Sequence, residues 1–93
     1  MFIALFHSGL IGRSWSMLFA AANYDVSLYD IDDAQLESAR KEVRSKLTDL
    51  EKQGLLRGSL NALEQFNNIR YTSDFNDCVK GAAYIQVLVV LMT

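Results

Sequence analysis

The sequence predicts an α/β fold in which helices cover a parallel β-sheet. Apolar runs of strand length alternate with stretches whose apolar residues recur at helical spacing, which is the pattern of successive βαβ units. The first run, Phe2 to Phe6, is continuously apolar, as expected of a strand covered on both faces. The turn that follows it, His7-Ser8-Gly9, leads directly into a segment of helical periodicity.

A first helix and a second strand follow that turn. The helix should run from Leu10 to about Asn23, and the strand should cover Val26 to Tyr29 and close on Asp30. We assign the aromatic side chains of the helix, and that of Tyr29, to packing in the core and between elements. The apolar residues that give the helix its period are Ile11, Trp15, Leu18, Phe19 and Ala22.

A long second helix is expected next. Asp32 is a good N-cap, and Gln35 three residues later completes a pattern that resembles a capping box. Gly54 should end the helix. The apolar stripe consists of Leu36, Ala39, Val43, Leu47 and Leu50. Oppositely charged residues in the favourable i,i+4 order are Glu37–Lys41 and Glu42–Lys46.

The remaining elements are shorter. Ser59 should cap a short helix that ends at Phe66, and Ile69 to Thr72 should form the third strand. Asp74 to Lys80 should form a helical turn, and Tyr84 to Leu91 the fourth strand. Residues 1–93 therefore make one domain, β-α-β-α-α-β-α-β. With right-handed crossovers, the four strands should lie in the order 3-2-1-4.

Composition narrows the classes of function. The net charge of −2, with no block of basic residues, gives no reason to expect nucleic acid or a membrane as partner. The apolar run from Val87 to Met92 is too short to span a bilayer. Cys78, the single cysteine, has no Cys or His at ligand spacing, so we expect no disulfide, no metal site and a reducing, cytoplasmic setting.

The informative motif is Gly9-Leu10-Ile11-Gly12, placed between the first strand and the first helix. A dinucleotide pyrophosphate binds backbone N–H groups at a helix N-terminus, where glycine allows close approach and tight helix–strand packing. An acid that binds the adenosine ribose belongs at the end of the second strand, about 20 residues further on. Asp30 stands there, and no basic residue follows it in Ile31-Asp32, which favours NAD over NADP.

The motif departs from the full Gly-x-Gly-x-x-Gly pattern, because His7 occupies the position of the first glycine. That glycine normally makes the tight turn out of the strand, so we expect weak NAD(H) binding or none. Two plainer interpretations stay open. The two glycines could serve close packing alone, and Asp30 could be a surface carboxylate. His7 itself is interpreted as a turn residue.

Several further strings carry a resemblance to one family. They are Ser8-Gly9-Leu10-Ile11-Gly12-Arg13-Ser14-Trp15, Leu28-Tyr29-Asp30-Ile31, Arg57-Gly58-Ser59-Leu60 and Val79-Lys80-Gly81-Ala82 followed by Ile85-Gln86. In this order they resemble the N-terminal NAD-binding part of the 3-hydroxyacyl-CoA dehydrogenase family, in its lambda-crystallin / L-gulonate 3-dehydrogenase group. The similarity runs from about Ile3 to Gln86.

The resemblance implies a Rossmann-like sheet, NAD as cofactor and an oxidoreductase that acts on the CH–OH group of 3-hydroxy acids. It also implies that the catalytic residues and a helical C-terminal domain follow the fourth strand, so the chain would be a truncated half of a dinucleotide-binding domain without catalytic residues. Alone, it should be inactive. The cofactor-binding residues that it implies are Ser8, Gly9, Leu10, Ile11, Gly12 and Asp30.

A second hypothesis gives the chain an interaction or structural role instead. It would be a non-catalytic isoform that self-associates, or binds the full-length enzyme, through the apolar C-terminal strand. An uncovered strand edge readily pairs with another chain.

Overall fold

The computed structural model describes residues 2–5, 9–79 and 85–89. Within these residues the predicted succession β-α-β-α-α-β-α-β is present. The strands are β1 (Phe2–Leu5), β2 (Asp25–Tyr29), β3 (Ile69–Thr72) and β4 (Ile85–Val89). The helices are α1 (Leu10–Ala21), α2 (Asp33–Lys52), α3 (Ala62–Asn67) and α4 (Phe75–Val79).

All described strand pairs are parallel, and the strands lie in the order β3-β2-β1-β4. The register aligns Phe2 with Asp25 and Leu5 with Leu28, so β1 and β2 end at the same edge of the sheet. A parallel pair needs a crossover, and α1 supplies it between these two strands. The α/β class with a Rossmann-like parallel sheet is therefore confirmed.

The core lies between the sheet and the helices α1, α2 and α3. Val26 and Leu28 of β2 are its central strand residues, and both are buried. The predicted stripe of α2 packs against them, with Leu36, Ala39, Val43 and Leu47 buried and Leu50 half-buried. Tyr29 packs edge-on against Phe75 of α4, as a contact between elements.

Helix α1 presents only part of its predicted apolar face to the core. Phe19 is half-buried and packs against the core as predicted. Trp15, predicted to pack in the core, is 38% exposed and stacks on Phe19 of the same helix. Between residues 12 and 21 of α1, the part of the helix whose burial is described, the buried residues are small or polar: Gly12, Arg13, Ser16 and Ala20. Three of them, spaced four apart, form a stripe of small side chains. Such a stripe lets the helix approach the sheet closely, which large apolar residues would prevent.

Helix ends agree with the sequence in part. Asp32 caps α2 as predicted, because its Oδ1 accepts from the backbone N–H groups of Ala34 and Gln35 at 2.9 and 3.3 Å. The prediction that Ser59 caps the third helix is wrong. Asn61 caps it, in a reciprocal capping box with Glu64. The Asn-x-x-Glu pattern gives hydrogen-bond acceptors to two backbone N–H groups at once. With a cap at Ser59, those two N–H groups would bond only to solvent.

Two glycines adopt the left-handed conformation, for different reasons. Gly54 ends α2 with φ 70°, and no atom lies within 4 Å of the place that its Cβ would take. Gly58 has φ 76°, and there a Cβ would collide with the carbonyl oxygen of Ala21 at the end of α1. The loop after α2 can therefore approach α1 only because residue 58 lacks a side chain.

Gly58→Ala should destabilise the fold much more than Gly54→Ala. The left-handed conformation costs each variant about 1–2 kcal/mol, and Gly58→Ala adds the collision with Ala21. Urea unfolding of both variants, followed by circular dichroism, measures the difference. Equal midpoints for the two variants would show that the loop does not need this close approach.

Candidate functional site

The candidate site lies at the carboxyl edge of the adjoining strands β1 and β2. Gly9, four residues after the end of β1, is the N-cap of α1, and Asp30 follows β2 directly. Adjacent strands lie about 4.8 Å apart. The two features that the sequence selected as pyrophosphate turn and ribose acid therefore lie at one edge of the sheet, on neighbouring strands.

The N-terminus of α1 has the properties of an anion site. Gly9 has φ −69° and ψ −171°, which any residue can adopt, so what glycine contributes is the lack of a side chain beside the helix amides. The first turn carries no acidic residue that would compete with a bound anion. Its amides and the helix dipole both favour negative charge. Gly12 is buried in this turn, as tight packing requires.

Asp30 is half-buried and belongs to a hydrogen-bonded turn. Its backbone N–H donates to the carbonyl oxygen of Thr72, at the end of β3, at 3.3 Å. Its Oδ1 accepts from the backbone N–H of Asp32 at 3.0 Å. A carboxylate accepts hydrogen bonds from amide and hydroxyl groups alike, which is the chemistry that a ribose contact at Asp30 requires.

Arg13, whose role was not predicted from the sequence, lies on α1 and extends its side chain to α2. The side chain of Arg13 is 11% exposed, and its guanidinium donates to Glu42 Oε2 at 2.7 Å. It also donates to Gln35 Oε1 at 3.0 Å and to Ser38 Oγ at 3.3 Å. The only sequence signal for this contact was the Gly12-Arg13 pair in the family-like string, because a buried arginine has no hydrophobic period to reveal it.

Gln35 consequently does not act as the predicted partner in a capping box. Its side-chain oxygen accepts from Arg13, on another helix. The predicted i,i+4 pairs also differ from each other. Lys46 contacts Glu42 at 3.0 Å as expected, whereas Glu37 faces Arg40, three residues on, at 3.9 Å.

Ser8 and His7 lie outside the described residues, so their place relative to Gly9 stays a prediction. In the part of the chain that the structure describes, no group of three or more His, Cys, Asp or Glu could hold a metal ion. None of the helices described combines the length and the apolarity needed to cross a membrane. Burial raises the pKa of the Cys78 thiol to about 11, so it is protonated at neutral pH.

A parallel sheet with a glycine turn at the first helix and an acid after the second strand defines a dinucleotide-binding domain. The chain belongs to the family described as 3-hydroxyacyl-CoA dehydrogenase, NAD binding domain, which matches residues 3–90. NAD is the cofactor of this domain, as the sequence predicted.

Curated relatives agree with this membership. The lambda-crystallin homolog of Bos taurus is 44% identical over 84 residues, which are 90% of this chain and 26% of that protein. The chain thus spans about a quarter of the length of the curated relatives that it matches. The family resemblance is confirmed.

Two solved structures share the fold. A diketoreductase that acts on dicarbonyl compounds has a TM-score of 0.77 at 23% identity, over 97% of this chain and 31% of that one. An (S)-3-hydroxybutyryl-CoA dehydrogenase from Ralstonia eutropha has a TM-score of 0.72 at 20% identity, over 82% of this chain and 26% of that one.

The hydrogen bonds to Glu42 predict how the stability of the fold depends on pH. Hydrogen bonds from Lys46 and Arg13 lower the pKa of Glu42 from its ordinary value, more than burial raises it. Since the folded-state pKa is lowered, this carboxylate stabilises the fold above its ordinary pKa of about 4.3 and the contribution disappears as the pH falls through the lowered value.

Glu42→Gln should therefore reduce the loss of stability between pH 7 and pH 3, measured from urea midpoints. Glu37→Gln is the matched control, because its carboxylate is 53% exposed and 3.9 Å from Arg40, and it should keep the full loss. Identical pH dependence in the parent chain and in Glu42→Gln would contradict the assignment.

Proposed function

We propose that residues 1–93 are the NAD-binding portion of an oxidoreductase that acts on the CH–OH group of 3-hydroxy acids, of the L-gulonate or 3-hydroxyacyl type. The observation that carries the proposal is the position of the α1 N-terminus and Asp30 on adjoining strands at one sheet edge. The strand order β3-β2-β1-β4 is the first half of a doubly wound dinucleotide-binding sheet. A cytoplasmic setting accords with the single, buried, reduced cysteine.

In this proposal the amides around Ser8, Gly9, Leu10 and Ile11 bind the pyrophosphate. Gly12 keeps α1 close to the sheet, where its burial supports that role. The carboxylate of Asp30 accepts a hydrogen bond from the adenosine ribose. When bound, NAD supplies the hydride acceptor, and the residues named here bind and orient it.

Cofactor binding, rather than turnover, is what this segment contributes in our proposal. Oxidation of an alcohol needs a general base beside the reacting hydroxyl. His7 is the only histidine of the sequence, and it stands two residues before Gly9 in the proposed pyrophosphate motif. We therefore expect the 93 residues alone to show no 3-hydroxy acid oxidation.

The first test is thermal unfolding with and without NADH. A ligand at a hundred times its dissociation constant adds about 2.7 kcal/mol, which raises the midpoint of so small a domain by about 10 °C or more. Asp30→Asn should weaken NADH binding about tenfold or more, since it removes the charge from the ribose acceptor but keeps an oxygen for the Asp32 amide.

Asp25→Asn is the matched control for Asp30→Asn. Asp25 is exposed and lies at the opposite end of β2, so its substitution should leave NADH affinity unchanged. His7→Gly restores the first glycine and should strengthen binding. No NADH response from either the parent chain or His7→Gly would refute the proposed function.

A second candidate role rests on the position of β4. Among the described strands, β4 pairs with β1 only, so its other edge is the outer edge of that sheet. Its sequence, Ile-Gln-Val-Leu-Val, is mostly apolar. Open apolar edges favour pairing with another chain, which supports self-association or association with the full-length enzyme.

Sedimentation equilibrium over a range of protein concentrations separates the two roles. The interaction role predicts a mass that rises with concentration and a smaller rise when Val87 is replaced by Lys, because a charge on an edge strand opposes pairing. A constant monomer mass together with NADH binding would leave only the cofactor role.

A further inference from the structure

A continuous path of hydrogen bonds joins the two ends of the candidate site. The backbone N–H of Arg13 donates to the carbonyl oxygen of Gly9 at 3.0 Å, which closes the first turn of α1. The Arg13 guanidinium donates to Gln35 Oε1 at 3.0 Å. The Gln35 backbone N–H donates to Asp32 Oδ1 at 3.3 Å, and that of Asp32 donates to Asp30 Oδ1 at 3.0 Å.

From this path we infer that Arg13 is a positioning residue for the cofactor: it fixes the turn that begins α1 relative to the turn that carries Asp30. The inference rests on the proposed function, since it concerns the same site. NAD would contact both turns at once, through its pyrophosphate and its adenosine ribose, so its affinity depends on their spacing. Arg13 sets that spacing without contacting the cofactor.

The chemistry of the arginine side chain suits this task. Its planar guanidinium holds several acceptors in a fixed geometry, which the single ammonium group of lysine cannot do. The acceptors Gln35, Ser38 and Glu42 lie three and four residues apart, on one face of α2. The hydrogen bonds from Arg13 therefore fix both the distance and the rotation of α2 relative to α1.

Burial makes the contact specific. The side chain of Arg13 is 11% exposed and that of Glu42 is 34% exposed, so the pair is only partly screened by solvent. In addition, Ser16 Oγ donates to the carbonyl oxygen of Arg13 at 2.7 Å. Arg13 is thus held on α1 by its backbone and on α2 by its side chain.

The test compares Arg13→Lys with Arg40→Lys as the matched control. Arg40 is an arginine of α2 whose side chain is 50% exposed and whose guanidinium lies 3.9 Å from Glu37. NADH titrations are run well below each unfolding midpoint, so that only folded protein is measured. Arg13→Lys should raise the dissociation constant about tenfold, and Arg40→Lys should leave it unchanged.

Gln35→Met is a milder substitution that removes only the hydrogen bond between Arg13 and Gln35 from the same path. Gln35 is exposed, so this variant should fold normally even if Arg13→Lys does not. It should weaken NADH binding by about threefold, because Arg13 keeps Ser38 and Glu42. Combining Arg13→Lys with Asp30→Asn should give less than the sum of the two separate losses, since positioning Asp30 has no value once its charge is gone.

Amide hydrogen exchange of the free protein gives a readout that does not depend on the cofactor. In Arg13→Lys, exchange should speed up together at residues 13–16, where the amides of α1 begin to bond within the helix, and at residues 32–35, and in Arg40→Lys at neither. If neither the parent chain nor His7→Gly binds NADH, the proposed function fails, yet this exchange still decides whether Arg13 couples the two turns.

Three results would overturn the inference. The first is unchanged exchange at both turns in Arg13→Lys. The second is faster exchange with NADH affinity equal to that of the parent chain, since the contact would then only hold the fold together. The third is a strictly additive result for Arg13→Lys combined with Asp30→Asn.

Discussion

The parallel pairing of β1 with β2 is the constraint on which the other features depend. Two strands that run in the same direction cannot be joined by a tight turn, so the chain must return through a crossover, and α1 is that crossover. Because the strands end at the same edge, the start of α1 and the residue after β2 come to lie side by side. The topology alone therefore places the two parts of the proposed site, Gly9 and Asp30, at the same edge of the sheet.

That topology works only if α1 lies close to the sheet. Gly12, Ser16 and Ala20 provide the close approach because their side chains are small. The same closeness reaches the far end of the helix, where the chain at Gly58 passes against the carbonyl of Ala21. Gly12 near the start of α1 and Gly58 beside its end therefore both serve close packing of this helix, and the candidate anion site lies at its N-terminal end.

Much of this arrangement could be predicted from the sequence, because strands and amphipathic helices have a period. The stripe of α2 and the cap at Asp32 are local patterns, and both predictions are confirmed. Asp30 and Gly9 could be placed at one edge because spacing and strand context agree. The cap of α3 was assigned two residues too early, because Ser59 and Asn61 are both good caps and only the reciprocal bond with Glu64 favours the second.

Other features could not be predicted, because they arise between elements. The large apolar residues of α1 suggested a core-facing Trp15, whereas close packing against the sheet selects the small face and leaves Trp15 partly exposed. Gln35 matched a local capping pattern, but its side chain is used by Arg13 of another helix. A buried arginine that contacts polar acceptors on another helix does not belong to a hydrophobic period. The pattern of one helix alone therefore cannot predict its burial or its partners.

The pair formed by Arg13 and Glu42 is better understood as a source of geometry than of stability. A buried ion pair often contributes little net free energy, because desolvation offsets most of the attraction. An apolar residue at position 13 could stabilise the contact between α1 and α2 as well, but it would leave their relative rotation free. A site that must hold two parts of one ligand needs that rotation fixed. His7 replaces the first glycine of the pyrophosphate motif. A separate contact that holds the two predicted turns in position is therefore more important in this chain.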